Sequence, residues 1–212
     1  MNSYFVKTPK IIRSLYKNYI WSVPKKEKVI YLTFDDGPTP TVTNFVLDTL
    51  KKHNAKASFF CIGKNIEKHP QLFKSILNNG HTVGNHTQNH LKGWKTNTNE
   101  YLLDVENCQK NIDNYVAVKD QKLFRPPYGK IKNKQSKALI DKGYRIIMWS
   151  VLSGDFDTKI NSETCLKNVV DNTGSGSIVV FHDSEKAFKK LKNVLPKMIT
   201  HFASLGFVFK AI

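Results

Sequence analysis

Two adjacent carboxylates, Asp35 and Asp36, close the apolar run VIYLTF and precede the turn pair Gly37 and Pro38. Adjacent strand residues point to opposite faces, so the two can serve different tasks. Downstream, HTQNH spaces His86 and His90 at i and i+4, where two imidazoles on one face of a helical turn can grip one ion. Two His and one Asp form a three-ligand set with an open coordination position, the mark of a catalytic rather than a structural metal centre. One of Asp35 and Asp36 would complete that set. The other would be a general base toward water. Arg125, one of only three arginines in the chain, is the cation to hold that base ionised. His182 ends the run SIVVF, where it can protonate a departing nitrogen or oxygen, and either Asp155 or Asp157 can pair with it and keep it charged near neutrality. Taken alone, DDGP is equally a polar turn whose aspartate caps the next helix.

These residues follow strand-like segments. Short apolar runs rich in β-branched and aromatic residues predict strands at 29–34, 56–62, 81–86, 123–126, 145–151, 177–181 and 206–211. Helical spacing predicts helices at 41–53, 70–80, 99–115, 133–143, 162–172 and 187–206, the first capped by Thr41 and the last kinked or interrupted at Pro196. Repeated strand-then-helix order predicts parallel strands with helical crossovers. About seven strands suit a distorted, incomplete (β/α) barrel. Functional groups of such sheets gather at the C-terminal strand ends, and five of these strands deliver ionisable residues there.

Composition narrows the partners. The formal charge of +16 comes from 33 Lys and Arg against 17 Asp and Glu, but the excess is scattered lysine. Base-edge readout leans on arginine, so a solvated basic surface is expected and no nucleic-acid partner. Cys61, Cys108 and Cys165 imply no disulfide framework. No segment is apolar enough to span a membrane. Residues 1–27 form a basic amphipathic segment, either packed on the domain or in peripheral contact with a membrane. No cleavable signal is legible, which implies a cytoplasmic or inner-membrane-associated protein. No obligate protein partner is evident.

From residue 28 to the C-terminus the chain resembles polysaccharide deacetylases with the NodB-homology domain, the fourth family of carbohydrate esterases. The resemblance rests on TFDDGP (33–38), HTQNH (86–90), RPPYG (125–129), SGDF (153–156) and VFH (180–182), in the family's order. It implies a catalytic domain over 28–212 with Asp35 as base and Asp36, His86 and His90 as ligands. Arg125 would orient the base, the Tyr128 N–H would hold an oxyanion, and Asp155 would tune the acid His182. Pro127, Tyr128, Phe156 and Val180 would line the substrate site. Phe156 stands where the family usually has Trp, and Val180 where it has Leu; both keep an apolar wall. The implied cofactor is one divalent metal, Zn²⁺ before Co²⁺. The implied reaction is removal of N-acetyl groups from N-acetylglucosamine-containing glycans resembling peptidoglycan or chitin. The alternatives are an O-acetyl sugar esterase, a small-amide deacetylase or a glycan-binding pseudoenzyme.

Overall fold

The structure, a computed structural model, describes residues 4–24, 26–116 and 122–212; positions 1–3 and 25 of the N-terminal segment lie outside it. A short helix, α1 (Lys10–Leu15), precedes β1 (Val29–Asp35), α2 (Val42–Lys52), β2 (Ala57–Cys61), α3 (Gly63–Lys68), α4 (Pro70–Asn78) and β3 (Thr82–Asn85). Then come α5 (Thr98–Asp113), β4 (Lys122–Phe124), α6 (Asn133–Asp141), β5 (Tyr144–Ile146) and β6 (Val151–Leu152). The chain ends with α7 (Ser162–Val170), β7 (Ile178–His182), α8 (Glu185–Ser204) and β8 (Val208–Phe209).

Seven strands pair in parallel in the order β5-β4-β3-β2-β1-β7-β6, and β8 adds to the start of β1. The sheet curls into the incomplete parallel barrel expected from the strand–helix alternation. Strand alternation in β1 divides the core. Ile30, Leu32 and Phe34 pack outward in the cluster that α2, α4 and α8 cover. Val29 and Tyr31 face inward with Phe60, Leu123 and Ile147. Thr33 and Asp35 continue that inward face toward the C-terminal rim.

Three local expectations need correction. The run 145–151 is two strands rather than one, because β5 and β6 lie at opposite edges of the sheet. Residues 147–150 cross between the edges, and their carbonyls serve other donors. Thr41 makes no side-chain cap to α2. Pro196 does not interrupt α8: the carbonyl it leaves unpaired belongs to exposed Lys192, where water can satisfy it, while Leu191, Val194, Leu195 and Met198 bury the other face. His81, just beyond α4, is buried and accepts the Ala57 N–H at 3.3 Å.

The N-terminal segment runs along the open side of the barrel. Isolated bridges join Lys7 to Val151, Ile20 to Ile147 and Ser22 to Ser177. Met148 N–H donates to the Ile20 carbonyl at 2.7 Å, and Thr8 N–H to Ser150 at 3.0 Å. Edge groups of β5 and β6 that would otherwise face solvent are thereby paired. Trp21 anchors this contact, buried beside Tyr144, Ile146 and Met148, with its indole N–H donating to the Tyr16 carbonyl at 3.0 Å. Trp21→Ala should lower unfolding free energy by about 3–5 kcal/mol, read as a reduced midpoint in urea denaturation.

Candidate active site

The inward face of β1 delivers Asp35 to the rim, and Arg125, just past β4, meets it there. Arg125 is completely buried, which is tolerable only if its donors are satisfied. They are. One terminal nitrogen donates to Asp35 Oδ1 and Thr33 Oγ1, both at 2.7 Å; Nε donates to the Ile147 carbonyl at 3.0 Å and the other nitrogen to Met148 at 2.9 Å. The Phe60 ring lies 4.1 Å beneath the guanidinium, an added cation–π attraction. One cation thus aims Asp35 and holds the segment that crosses between β5 and β6.

Asp36 leaves the strand with φ +83°, a conformation rare for a side chain with a Cβ. That turn sends its carboxylate away from Asp35 and toward the histidines. Its Oδ1 lies 3.3 Å from His90 Nε2 and 3.8 Å from His86 Nε2. The ligand atoms of Asp36, His86 and His90 all fall within 4.8 Å of one another. His86 Nδ1 contacts the Arg125 carbonyl at 2.7 Å; that carbonyl can only accept, so the proton sits on Nδ1 and Nε2 keeps its lone pair. Burial pushes the His86 pKa down to about 3, with neighbouring His90 acting in the same direction. His90 is likewise lowered, mainly by burial. Neutral imidazoles are the forms that ligate metals. The two histidines do not ride a helix as the i, i+4 spacing suggested. Thr87 and His90 have φ +66° and +56°, and the Asp104 carboxylate holds the turn through the N–H groups of Gln88 and Asn89, at 2.9 and 3.0 Å.

On the other side of Asp35, His182 ends β7 in direct register with it. Its Nδ1 is 2.8 Å from Asp155 Oδ1, and its backbone N–H donates to Asp155 Oδ2 at 2.7 Å. Asp157 is engaged elsewhere, by the Tyr4 hydroxyl at 3.0 Å and the Lys159 N–H at 2.9 Å, so Asp155 is the partner. Burial alone would lower the His182 pKa, but the Asp155 ion pair and hydrogen bond, with Asp36 and Asp35 beyond, raise it to about 10. Phe156 stands edge-on to His182, ring centres 5.1 Å apart, and packs against Tyr4 at 5.2 Å. Val180, two residues before His182, shares its face of β7 and is buried. Tyr128 (φ +60°) is exposed, with its ring 4.7 Å from His90. Pro127 is buried beneath it.

Two contributors carried no assigned role in the sequence. Asp183 accepts the Gly37 N–H at 3.0 Å and the Thr43 hydroxyl at 2.6 Å, tying the DDGP turn to α2. A Cβ on Gly37 would lie 1.9 Å from Asp183 Oδ2, so only glycine fits. Burial pushes the Asp183 carboxyl up to about 8, with the Thr43 hydrogen bond opposing and the Asp36 charge adding. Its place directly after His182 was the one available signal. Tyr4, 152 positions from Phe156 in sequence, gave none.

A parallel half-barrel that gathers a His₂Asp cluster, an arginine-held aspartate and an Asp–His pair at one rim has the groups of a hydrolytic active site. A family model described as polysaccharide deacetylase matches residues 22–147. A peptidoglycan-N-acetylglucosamine deacetylase of Bacillus cereus is 36% identical over 193 residues, 91% of this chain and 90% of that protein. A chitooligosaccharide deacetylase of Azorhizobium caulinodans is 31% identical over 76% of each. The crystal structure of the Bc1960 peptidoglycan N-acetylglucosamine deacetylase superposes with a TM-score of 0.88 at 33% identity, covering 97% of this chain and 95% of that one. The chain belongs to the polysaccharide deacetylase family, enzymes that act on non-peptide carbon–nitrogen amide bonds.

Replacing Arg125 by Met should strand Asp35 as a buried, unpaired charge and lower stability by about 3–5 kcal/mol. Arg125→Lys should recover only part of that loss, because an ammonium cannot span the same four acceptors. Urea unfolding of both variants is the measurement.

Proposed function

We propose that the chain removes N-acetyl groups from N-acetylglucosamine units of a peptidoglycan- or chitin-like glycan, using one divalent metal held by Asp36, His86 and His90. The observation that carries the metal is Asp36 Oδ1, a buried oxygen without a hydrogen-bond donor among the described residues, lying between two neutral imidazole nitrogens. A buried carboxylate oxygen left unpaired is costly. A cation at that point would satisfy it, and the N₂O donor set suits zinc. When bound, the ion would make water more acidic and polarise the acyl oxygen.

The chain's own groups supply the rest. Asp35, held by Arg125, takes a proton from the attacking water. The Tyr128 N–H meets the oxyanion as charge develops on the former carbonyl oxygen, an electrostatic contribution of the kind worth about 3–4 kcal/mol. His182, with Nδ1 held by Asp155, presents Nε2–H and passes that proton to the departing sugar nitrogen. The carbon–nitrogen bond breaks, leaving acetate and an amine. Phe156 and Val180 form an apolar wall beside His182, suited to the acetyl methyl. The named activities of the relatives favour peptidoglycan over chitin, and glycans over small amides.

Acetate release from peptidoglycan fragments and chitooligosaccharides, before and after chelation and metal return, tests this reading. Metal-restored release that vanishes in Asp35→Asn supports it. Release from O-acetyl esters alone would reassign the substrate. Asp35→Asn should retain bound metal by elemental analysis, whereas His86→Ala should lose both metal and turnover. Full metal occupancy in His86→Ala would overturn the ligand assignment.

The pH profile follows from His182. Its protonated form is the active one, and Asp155 raises its pKa, so activity persists on the alkaline side and is lost as pH rises through the folded value. In Asp155→Asn the alkaline limb of kcat/KM should move to lower pH by at least about one unit. An unmoved limb would remove His182 as the acid.

A further inference from the structure

Trp94 is 58% exposed, yet it is not loosely held. It sits in a tight turn, Gly93–Lys95, three residues beyond His90. Its indole N–H donates to the Ile131 carbonyl at 3.1 Å. Lys132 Nζ donates to the Thr96 carbonyl at 2.7 Å, and Gln135 Nε2 to the Gly93 carbonyl at 3.1 Å. A Cβ on Gly93 would lie 2.5 Å from the Lys130 carbonyl, so this turn is pressed onto the loop after β4. The fold thus fixes a large apolar ring in solvent, where its burial contributes little, beside the catalytic rim. Tyr128, 56% exposed and on the loop that Trp94 is pressed against, has its ring 4.7 Å from that of His90.

Two lysines accompany the rings. Lys92 Nζ is 4.6 Å from the centre of the Tyr128 ring, and Lys130 Nζ is 5.0 Å from that of Trp94. Neither has a carboxylate partner among the described residues. Most of the chain's lysines are scattered; these two each lie over one of two exposed rings, carried by two loops in contact with each other, and the rings and lysines together make an aromatic strip beside His90.

We propose that this strip is a glycan subsite flanking the unit that bears the scissile acetamide. Trp94 is the platform on which a neighbouring pyranose stacks its apolar face, and Lys92 and Lys130 select chains that carry a carboxylate. An aromatic face offers a sugar ring apolar contact without demanding a hydrogen-bond pattern. Lysine ammonium groups offer charge-assisted hydrogen bonds to a carboxylate, which uncharged chitin-like chains lack. The inference rests on the glycan-deacetylase reading and adds to it a charge preference within that substrate class.

Binding, measured apart from turnover, tests it. Full-length Asp35→Asn protein would be titrated calorimetrically with two oligosaccharides of equal length. One is uncharged chitotetraose; the other is a peptidoglycan tetrasaccharide with free lactyl carboxylates. The carboxylate-bearing chain should bind about tenfold tighter, the scale of one charge-assisted hydrogen bond. That ratio should fall toward one in Lys92→Gln/Lys130→Gln and at high salt. Trp94→Ala should weaken both ligands by about tenfold or more. Equal affinities, a ratio insensitive to both lysines, undiminished binding in Trp94→Ala, or no binding of either ligand at millimolar concentration would overturn the proposal. Acetate release by the wild-type chain, run in parallel, separates the two readings. Charge-selective binding without release would sink the deacetylase reading alone, and release without selectivity would sink the subsite alone.

Discussion

A buried guanidinium cannot stand unsatisfied, and the catalytic rim is organised around that constraint. Arg125 lies at zero exposure and reaches four acceptors on two parts of the chain. Two belong to β1, so that strand and its terminal aspartate are fixed together. The other two are carbonyls of the segment joining β5 to β6, so the same cation stabilises the crossing at the barrel's open side. Its own carbonyl sets the His86 tautomer. Disturbing this one residue therefore perturbs Asp35, His86 and the barrel closure at once.

Four aspartates crowd this end of the barrel, and each is treated differently. Asp35 is neutralised by Arg125 and Asp155 by His182. Burial raises the Asp183 carboxyl to about 8, and the Gly37 N–H and Thr43 hydroxyl hold it as a structural tie. Asp36 Oδ1 has neither a protein cation nor a hydrogen-bond donor among the described residues, only two neutral imidazoles beside it. Like charges this close cannot all remain ionised without compensation. The partners differ in kind: a guanidinium for Asp35, an imidazole for Asp155, a backbone N–H and a hydroxyl for Asp183, and two neutral imidazoles for Asp36.

Strand-end chemistry was readable because each motif is a local string and parallel topology carries strand ends to one rim. TFDDGP, HTQNH, RPPYG, SGDF and VFH needed only their order. What failed was local geometry under tertiary control. The apolar run 145–151 reads as one strand, but its middle carbonyls are taken by Arg125 and its ends pair with different edges. HTQNH reads as a helical turn, yet Asp104, fourteen residues past His90, imposes left-handed residues instead. Thr41 reads as a cap, but Asp183 recruits Thr43 from across the sheet.

By itself the sequence determined the fold class and the residue types gathered at the rim, because hydrophobic periodicity and motif order are short-range properties. Only the tertiary structure decided which neighbour each carboxylate meets. Asp35 continues the inward face of β1, whereas a left-handed backbone at Asp36 turns its carboxylate to the histidines. Between the two aspartates that spacing alone left open, Asp155, the one the motif resemblance implied, holds His182, since Tyr4 and the Lys159 N–H occupy Asp157. The ring of Trp94 stands rigid beside the site through contacts with residues 130–135. Each of these choices depends on groups distant in sequence, whose approach no local pattern encodes.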